Sequence, residues 1–117
     1  MANSVIKKDN LLIESNVNPV TERITQELLK CMRLRNTRVV FVYGVFKTTT
    51  NIAATQTVVK GFPPAFGLGQ MHIPGINSGN NTRIMFILTN TGELATDVAI
   101  PSNTWCSFSG AYLTNSD

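Results

Sequence analysis

From residue 36 onward, short runs of β-branched and aromatic residues alternate with turn-forming residues, at intervals of about 8 to 12 residues. The first run, residues 37–48, is apolar on both faces, as expected for a strand that lies between two layers. Further strands are predicted at residues 54–61, 82–89, 93–100 and 104–114. This spacing predicts a mainly β fold, with a β-sandwich or jelly-roll-like architecture.

The composition also favours strands and turns over helix interiors. Asn, Thr and Ser account for 33 of the 117 residues, and charged residues for 15%. Since an average soluble domain has about 25% charged residues, uncharged polar groups must supply much of the solubility here. These residue types favour turns and strands. The length suits one domain, and an all-helical bundle is excluded.

One segment before the β region has helical periodicity. Asn18 can cap the free amide groups of a helix that begins at Pro19. Apolar residues then recur on one face at spacings of four, four and three: Val20, Ile24, Leu28 and Cys31. These spacings predict an amphipathic helix over residues 19–34.

This helix defines the expected domain organisation. Residues 1–35 are predicted to form an N-terminal arm and helix, and residues 36–117 the β-sandwich domain. A single short helix with one apolar stripe is marginal in water. The stripe of four apolar residues is therefore expected either to cover the sandwich of its own subunit or to meet copies of itself, and it is the predicted oligomerisation surface.

The charges are unevenly distributed along the chain. Residues 1–60 hold nine basic and four acidic residues, whereas residues 61–117 hold one and three. The basic excess clusters near the end of the predicted helix: Lys30, Arg33, Arg35 and Arg38. Cations at a helix C-terminus complement its dipole. This interpretation is favoured over a phosphate-binding patch, so nucleic acid is not an expected partner.

Two cysteines, Cys31 and Cys106, are too few for a disulfide framework and lack CxxC spacing. Buried free thiols are the default expectation, with a single bridge as the alternative. No apolar run reaches the roughly 18 residues of a membrane span, and the first fifteen residues hold four charges and no apolar stretch of signal-peptide length. Neither membrane insertion nor secretion is expected.

The sequence offers no catalytic constellation. His72 is the one histidine, and no acidic residue lies within fifteen positions of it, so a histidine–carboxylate metal site is not expected. Cys106 and His72 could form a nucleophilic pair, but nothing in the sequence brings them together. Glu93 and Asp97 could form the carboxylate pair of a glycoside hydrolase, but solvation of a hairpin explains them more simply. We therefore predict no enzymatic activity, no cofactor and no metal.

Residues 62–79 are rich in Pro and Gly and predict a long shaped loop. Amide and imidazole side chains in and just after this loop suit the recognition of hydroxyl groups, and they are the candidate ligand contacts: Gln70, His72, Asn77, Asn80 and Asn81. Trp105, beside a turn, could stack on a sugar ring. Packing of Trp105 against the sandwich is the favoured alternative.

Three C-terminal segments carry a resemblance to a known family. They are Leu-Thr-Asn-Thr-Gly-Glu-Leu at 88–94, Ile-Pro-Ser-Asn-Thr-Trp at 100–105 and Phe-Ser-Gly-Ala-Tyr-Leu at 108–113. The Phe-Pro-Pro-Ala-Phe-Gly segment at 62–67 is similar to the loop that precedes this unit. Together they resemble the C-terminal end of small β-sandwich domains in tailed-phage fibre and baseplate proteins, over about residues 58–114.

The resemblance implies a virion structural protein of a tailed phage or prophage that is assembled in the host cytoplasm. Domains of this family are commonly trimeric and often bind host saccharides. A homotrimeric tail-fibre or baseplate module that contacts other virion proteins and a host-surface glycan is therefore expected. The alternative is a purely architectural capsid-decoration or baseplate joint protein. The chain lacks a long fibre shaft, which leaves tail, baseplate and capsid positions open.

Overall fold

The computed structural model describes residues 12–66 and 70–115, and within these ranges the chain forms nine β-strands and no helix. The strands are β1 (Leu12–Glu14), β2 (Asn18–Pro19), β3 (Ile24–Leu34), β4 (Val39–Thr48), β5 (Thr57–Lys60), β6 (Met71–Asn77), β7 (Thr82–Leu88), β8 (Leu94–Thr96) and β9 (Trp105–Leu113). The prediction of a mainly β fold is confirmed.

All nine strands belong to one antiparallel sheet with the order β1-β3-β4-β9-β6-β7-β8-β5-β2. The sheet curls around an apolar core, so that strands distant in this order meet inside it. Phe46 of β4 lies edge-to-face on Phe86 of β7, with ring centroids 6.0 Å apart, and Phe108 of β9 lies 5.1 Å from Phe86. These three rings are central to the core.

The predicted helix over residues 19–34 is wrong. Asn18 and Pro19 form the edge strand β2, which pairs with β5, and Ile24–Leu34 form β3, which pairs with β4 along its length. The register of β3 against β4 shifts between Gln26 and Leu28. Because of this bulge Ile24 and Cys31 both face the core, although a regular strand would place residues seven positions apart on opposite faces; two turns of a helix place them on the same face.

The four residues of the predicted oligomerisation stripe therefore do not share a face. Ile24 and Cys31 are fully buried in the core of their own subunit, whereas Leu28 points outward beside Val45. Val20 precedes the turn into β3, and its amide donates to the Val58 carbonyl at 2.9 Å. The predicted stripe requires a helix, and the described residues contain none, so these four residues do not form a common surface.

The basic cluster cannot be explained as cations that complement a helix dipole, because no helix forms there. Lys30 lies in β3 and forms an ion pair with Glu14 at 3.2 Å, and the Arg38 guanidinium lies 5.3 Å from the centroid of the Phe66 ring. Residue 35, the predicted domain boundary, falls in the turn between β3 and β4. Residues on both sides of that boundary thus contribute strands to the same sheet.

The predicted loop over residues 62–79 contains a strand, β6, which pairs with β7 along its whole length. Pro74 is tolerated because its partner Met85 directs both backbone polar groups to the other side, toward Asp97. Pro74 therefore gives up no hydrogen bond to β7. On the opposite side, β6 pairs with β9 only from Gly75 onward.

Candidate functional site

The outward-facing side chains of β3, β4 and β9 form a continuous surface, which we call the outer face. In β4 the alternation is regular: every second residue from Val40 to Thr48 is buried, and the residues from Phe41 to Lys47 that alternate with them point outward. Cross-strand pairing arranges the outer face in five rows: Thr25, Lys47 and Trp105; Leu28, Val45, Ser107 and Ile76; Lys30, Tyr43 and Ser109; Met32, Phe41 and Ala111; Val39 and Leu113.

Large apolar side chains are concentrated on this outer face. Four of them, which we call the apolar patch, are each 39–46% exposed: Leu28, Phe41, Tyr43 and Leu113. In the sheet register Leu28 lies beside Val45, Tyr43 and Phe41 follow on β4, and Leu113 lies beside Val39, so the four form a diagonal line across three adjacent strands. Leaving grouped apolar side chains in water is unfavourable, and such groups are common at interaction sites.

A groove of about 580 Å³ crosses the outer face between β4 and β6. Its floor is formed by the small residues Ser107 and Ser109 of β9. Tyr43 of β4 lies on one side, and Ile76 and Arg83 lie on the other. The groove is therefore mixed in character, with an aromatic ring, two hydroxyls and one guanidinium. It is continuous with the apolar patch through Tyr43.

Two glycines shape this part of the sheet. Gly44 of β4 and Gly75 of β6 both pair with Phe108, one on each side of β9. A Cβ atom on Gly44 would lie 2.7 Å from Phe108 Cζ, and one on Gly75 would lie 2.5 Å from the Ser107 carbonyl oxygen. Only glycine allows the Phe108 ring to pack this close to the neighbouring strand.

A second, more polar depression of about 380 Å³ lies at the end of the outer face where β4 ends and β9 begins. We call it the terminal pocket. Its lining residues are Thr25, Lys47, Thr48, Thr49, Ser102 and Asn103. Five of the six carry hydroxyl or amide groups and the sixth carries an amine. Its volume lies within the range of about 300–1,000 Å³ that is common for small-molecule sites.

Thr48 holds the loops around the terminal pocket in place. Its buried hydroxyl donates to the Pro101 carbonyl at 2.7 Å and accepts from the Thr104 amide at 2.9 Å. The Asn103 amide donates to the Thr48 carbonyl at 2.8 Å, with Asn103 in the left-handed region at φ 63°. Asn51 accepts from the Ser102 amide at 2.9 Å. The pocket is thus preformed by hydrogen bonds between β4 and the β8–β9 loop.

Lys47 and Trp105 connect the pocket to the outer face. Lys47 lines the pocket, and its ammonium lies 5.8 Å from the centroid of the Trp105 ring, within cation–π distance. Trp105 stays 39% exposed. Among the described residues, no carboxylate forms an ion pair with Lys47. The pair therefore presents an ammonium beside an exposed indole.

The candidate residues of the predicted loop separate into two groups at opposite ends of β6. Gln70 and His72 are exposed at its start, where His72 pairs with Ile87. The other three lie at its end, in and beside the β6–β7 turn, where Ser78 donates its amide to the Trp105 carbonyl at 2.8 Å: Asn77, Asn80 and Asn81. The predicted set does not form one site, because five residues of strand span about 17 Å.

The asparagines at this turn have structural contacts of their own. The Asn77 side-chain oxygen accepts from the Gly79 amide at 2.9 Å, and the Asn80 oxygen accepts from the hydroxyl of Thr82 at 2.6 Å. Asn81 adopts φ 62°, as turn asparagines do. The sequence predicts ligand contacts in this turn, but it does not predict a role for Lys47 or for the threonines that line the pocket. Those threonines are of a type common in any strand or turn, so no local signal distinguishes them.

The two thiols are poor nucleophiles. Cys31 and Cys106 are both buried and free, and burial raises the pKa of each to about 11. A thiol in this state stays protonated at neutral pH. Cys106 faces the core opposite Asn77, at the other end of β6 from the exposed His72, so the two do not form a catalytic pair.

Within residues 12–66 and 70–115, no three His, Cys, Asp or Glu side chains are grouped closely enough to hold a metal ion. The same part of the chain contains no helix of the length and apolarity that crossing a membrane requires. A scan against protein-family models finds no match for this chain, and a search of curated protein sequences finds none that is similar.

Proposed function

We propose that this chain is a non-enzymatic structural protein of a tailed-phage particle. It assembles as a homotrimer through the outer face and presents its loop end to a host-surface saccharide. One observation carries the assembly: the apolar patch, in which Leu28, Phe41, Tyr43 and Leu113 lie together on adjacent strands with 39–46% of each exposed. The C-terminal turn pattern, which resembles that of phage fibre and baseplate domains, supports the rest.

The occupant of the apolar patch in this proposal is a second copy of the chain. Copies that meet around an axis can cover these side chains with one another, and the small residues Ser109 and Ala111 beside Phe41 and Tyr43 allow close approach. Full burial of a large apolar side chain is worth about 1.5–3 kcal/mol, and since 39–46% of each of the four is still exposed, covering them gains about 0.6–1.4 kcal/mol apiece. That gain is what the isolated subunit lacks.

The assembly is tested by the solution mass of the purified chain, measured by light scattering, before and after Phe41→Lys. We expect three times the subunit mass for the parent chain and a large shift toward monomer for the variant, because a lysine at the centre of the interface buries a charge. Val98→Lys is the matched control, since Val98 is 44% exposed but lies in the β8–β9 loop. A monomeric parent chain contradicts the assembly.

The host contact is tested by binding of the purified chain to an array of bacterial surface glycans. We expect binding to a small set of glycans. The alternative, an architectural protein that contacts only other virion proteins, is favoured by one observation: the amide side chains of the predicted loop lie at two ends of β6, and two of them serve the turn. A pull-down against purified virions and against host envelope separates the two functions.

A further inference from the structure

We propose that the terminal pocket binds an acidic saccharide, a pyranose ring that carries a carboxylate or a phosphate. This inference rests on the saccharide contact in the proposed function and deepens it by naming the class of sugar. It also moves the contact from the predicted loop asparagines to Lys47, Trp105 and the hydroxyl groups beside them.

The charge in the pocket selects an anion. Lys47 is the cationic residue of the pocket lining, and among the described residues no carboxylate is paired with it. By contrast, Lys30 on the same face is already paired with Glu14. The Thr49 hydroxyl donates to the Glu22 backbone carbonyl at 3.5 Å. An ammonium that no described carboxylate neutralises attracts an anionic ligand.

The remaining lining groups suit a sugar better than a bare anion. The hydroxyls of Thr25 and Ser102 and the side-chain amide of Asn103 form no hydrogen bond with any other described residue. Each can therefore donate to and accept from a ligand hydroxyl. The hydrogen bonds of Thr48 hold the backbone of the loop that carries Ser102 and Asn103, so that part of the pocket wall does not have to be ordered when a ligand binds.

Trp105 supplies the apolar element of the site. The C–H face of a pyranose stacks on aromatic rings, and Trp105 is exposed next to the ammonium of Lys47. A ring stacked there would bring an acidic substituent within reach of that ammonium. Trp105 is also the only tryptophan in the chain, so its fluorescence reports directly on occupancy of this site.

The test is titration of the chain with glucuronic acid, glucose 6-phosphate, glucose and inorganic phosphate, followed by the fluorescence of Trp105. We expect saturable changes with at least one of the two acidic sugars, with glucose at least about tenfold weaker. Lys47→Gln should reduce affinity for the acidic sugar about tenfold, the usual effect of losing one charge-assisted hydrogen bond. Lys47→Arg should retain most of it. Lys60→Gln, an exposed lysine on β5, is the control and should change nothing.

Three results would overturn the inference. If glucose binds as tightly as the acidic sugars, the site has no preference for an acidic substituent. Inorganic phosphate that binds as well as glucose 6-phosphate makes this an anion site without sugar recognition. If no probe alters the fluorescence while array binding persists in Lys47→Gln, the pocket assignment fails and the host contact of the proposed function stands. If the parent chain itself binds no glycan on the array, the proposed function is contradicted, and not only the pocket assignment.

Discussion

Gly75 lies where a side chain of any size would collide with the core. A Cβ atom there would overlap the Phe86 ring and lie 2.5 Å from the Ser107 carbonyl oxygen. Since neither a packed ring nor a strand backbone can move aside cheaply, we expect Gly75→Ala to lower the free energy of unfolding by about 1–3 kcal/mol, as measured by urea denaturation. Gly110→Ala is the control.

The control differs in what the new methyl group meets. At Gly110 the closest atom is Cγ2 of Ile73, at 3.3 Å, which is the end of a side chain and can shift by a few tenths of an ångström. The expected loss there is below about 1 kcal/mol. Equal losses of unfolding free energy at the two positions would contradict this explanation, because the close contacts at Gly75 would then add nothing to the cost of the substitution.

The buried thiols give the chain an alkaline limit. Their folded pKa of about 11 exceeds the unfolded value of 9.0, so the unfolded chain loses these protons first. Their stabilisation is therefore complete below pH 9 and is lost as the pH rises toward 11. Two pKa units correspond to about 2–3 kcal/mol per thiol. We expect the free energy of unfolding, measured by denaturant titration at several pH values, to fall across this window.

The double variant Cys31→Ala with Cys106→Ala isolates this effect. Its unfolding free energy should stay nearly constant between pH 9 and 10, where the parent chain already declines. Above pH 10 a residual decline remains, because burial also raises the pKa of Tyr112 above its ordinary value of 10.0. A parent-like slope in the double variant from pH 9 would show that the thiols are not responsible.

Among the elements, β4, β7 and β9 were predictable from local pattern, and β3 was not. Residues 37–48, 82–89 and 104–114 were predicted as strands, and they contain Val39–Thr48, Thr82–Leu88 and Trp105–Leu113. Their β-branched and aromatic residues favour the extended backbone locally. In β3, the bulge near residue 27 and the lysine, arginine and leucine content imitate a helix. Pairing with β4, a tertiary contact, decides the conformation.

The assignment of β3 as a strand is testable by a pair of alanine variants. In the predicted helix, Ile24 and Leu28 would be equivalent members of one apolar stripe. In the strand, Ile24 is buried and Leu28 is outward. We expect Ile24→Ala to cost about 2–5 kcal/mol of unfolding free energy and Leu28→Ala about 1 kcal/mol or less. Similar costs at both positions, measured by urea denaturation, would contradict the strand.

The site was harder to predict than the fold, for a physical reason. Pocket residues Thr25, Lys47 and Asn103 come from β3, from β4 and from the β8–β9 loop. Only the order of strands in the sheet brings them together, and no local pattern encodes that order. The sequence singles out Trp105 as an aromatic beside a turn, with packing against the sandwich as the favoured interpretation. It does not single out the partner Lys47, because in the sequence it is an ordinary charge at the end of a strand.

At the scale of the whole molecule, Phe41 and Leu113 of the apolar patch lie away from the terminal pocket, whereas Leu28 lies beside Val45, two residues from Lys47. Phe41 and Lys47 lie six residues apart on β4, which corresponds to about 20 Å. The molecule is elongated, with extents of 54 × 29 × 23 Å. In the proposed assembly, copies that join at the patch can therefore leave their pockets free and directed toward the same host surface.

Separation of the two surfaces predicts that assembly raises avidity without altering the site. Phe41→Lys should leave the affinity for a soluble acidic monosaccharide, measured by Trp105 fluorescence, within about twofold of the parent chain. Binding to the same sugar immobilised at high density, measured by surface plasmon resonance, should weaken by about a hundredfold or more, because two of three linked contacts are lost. Val98→Lys should affect neither. An equal loss in both assays would mean that the patch and the pocket are one site.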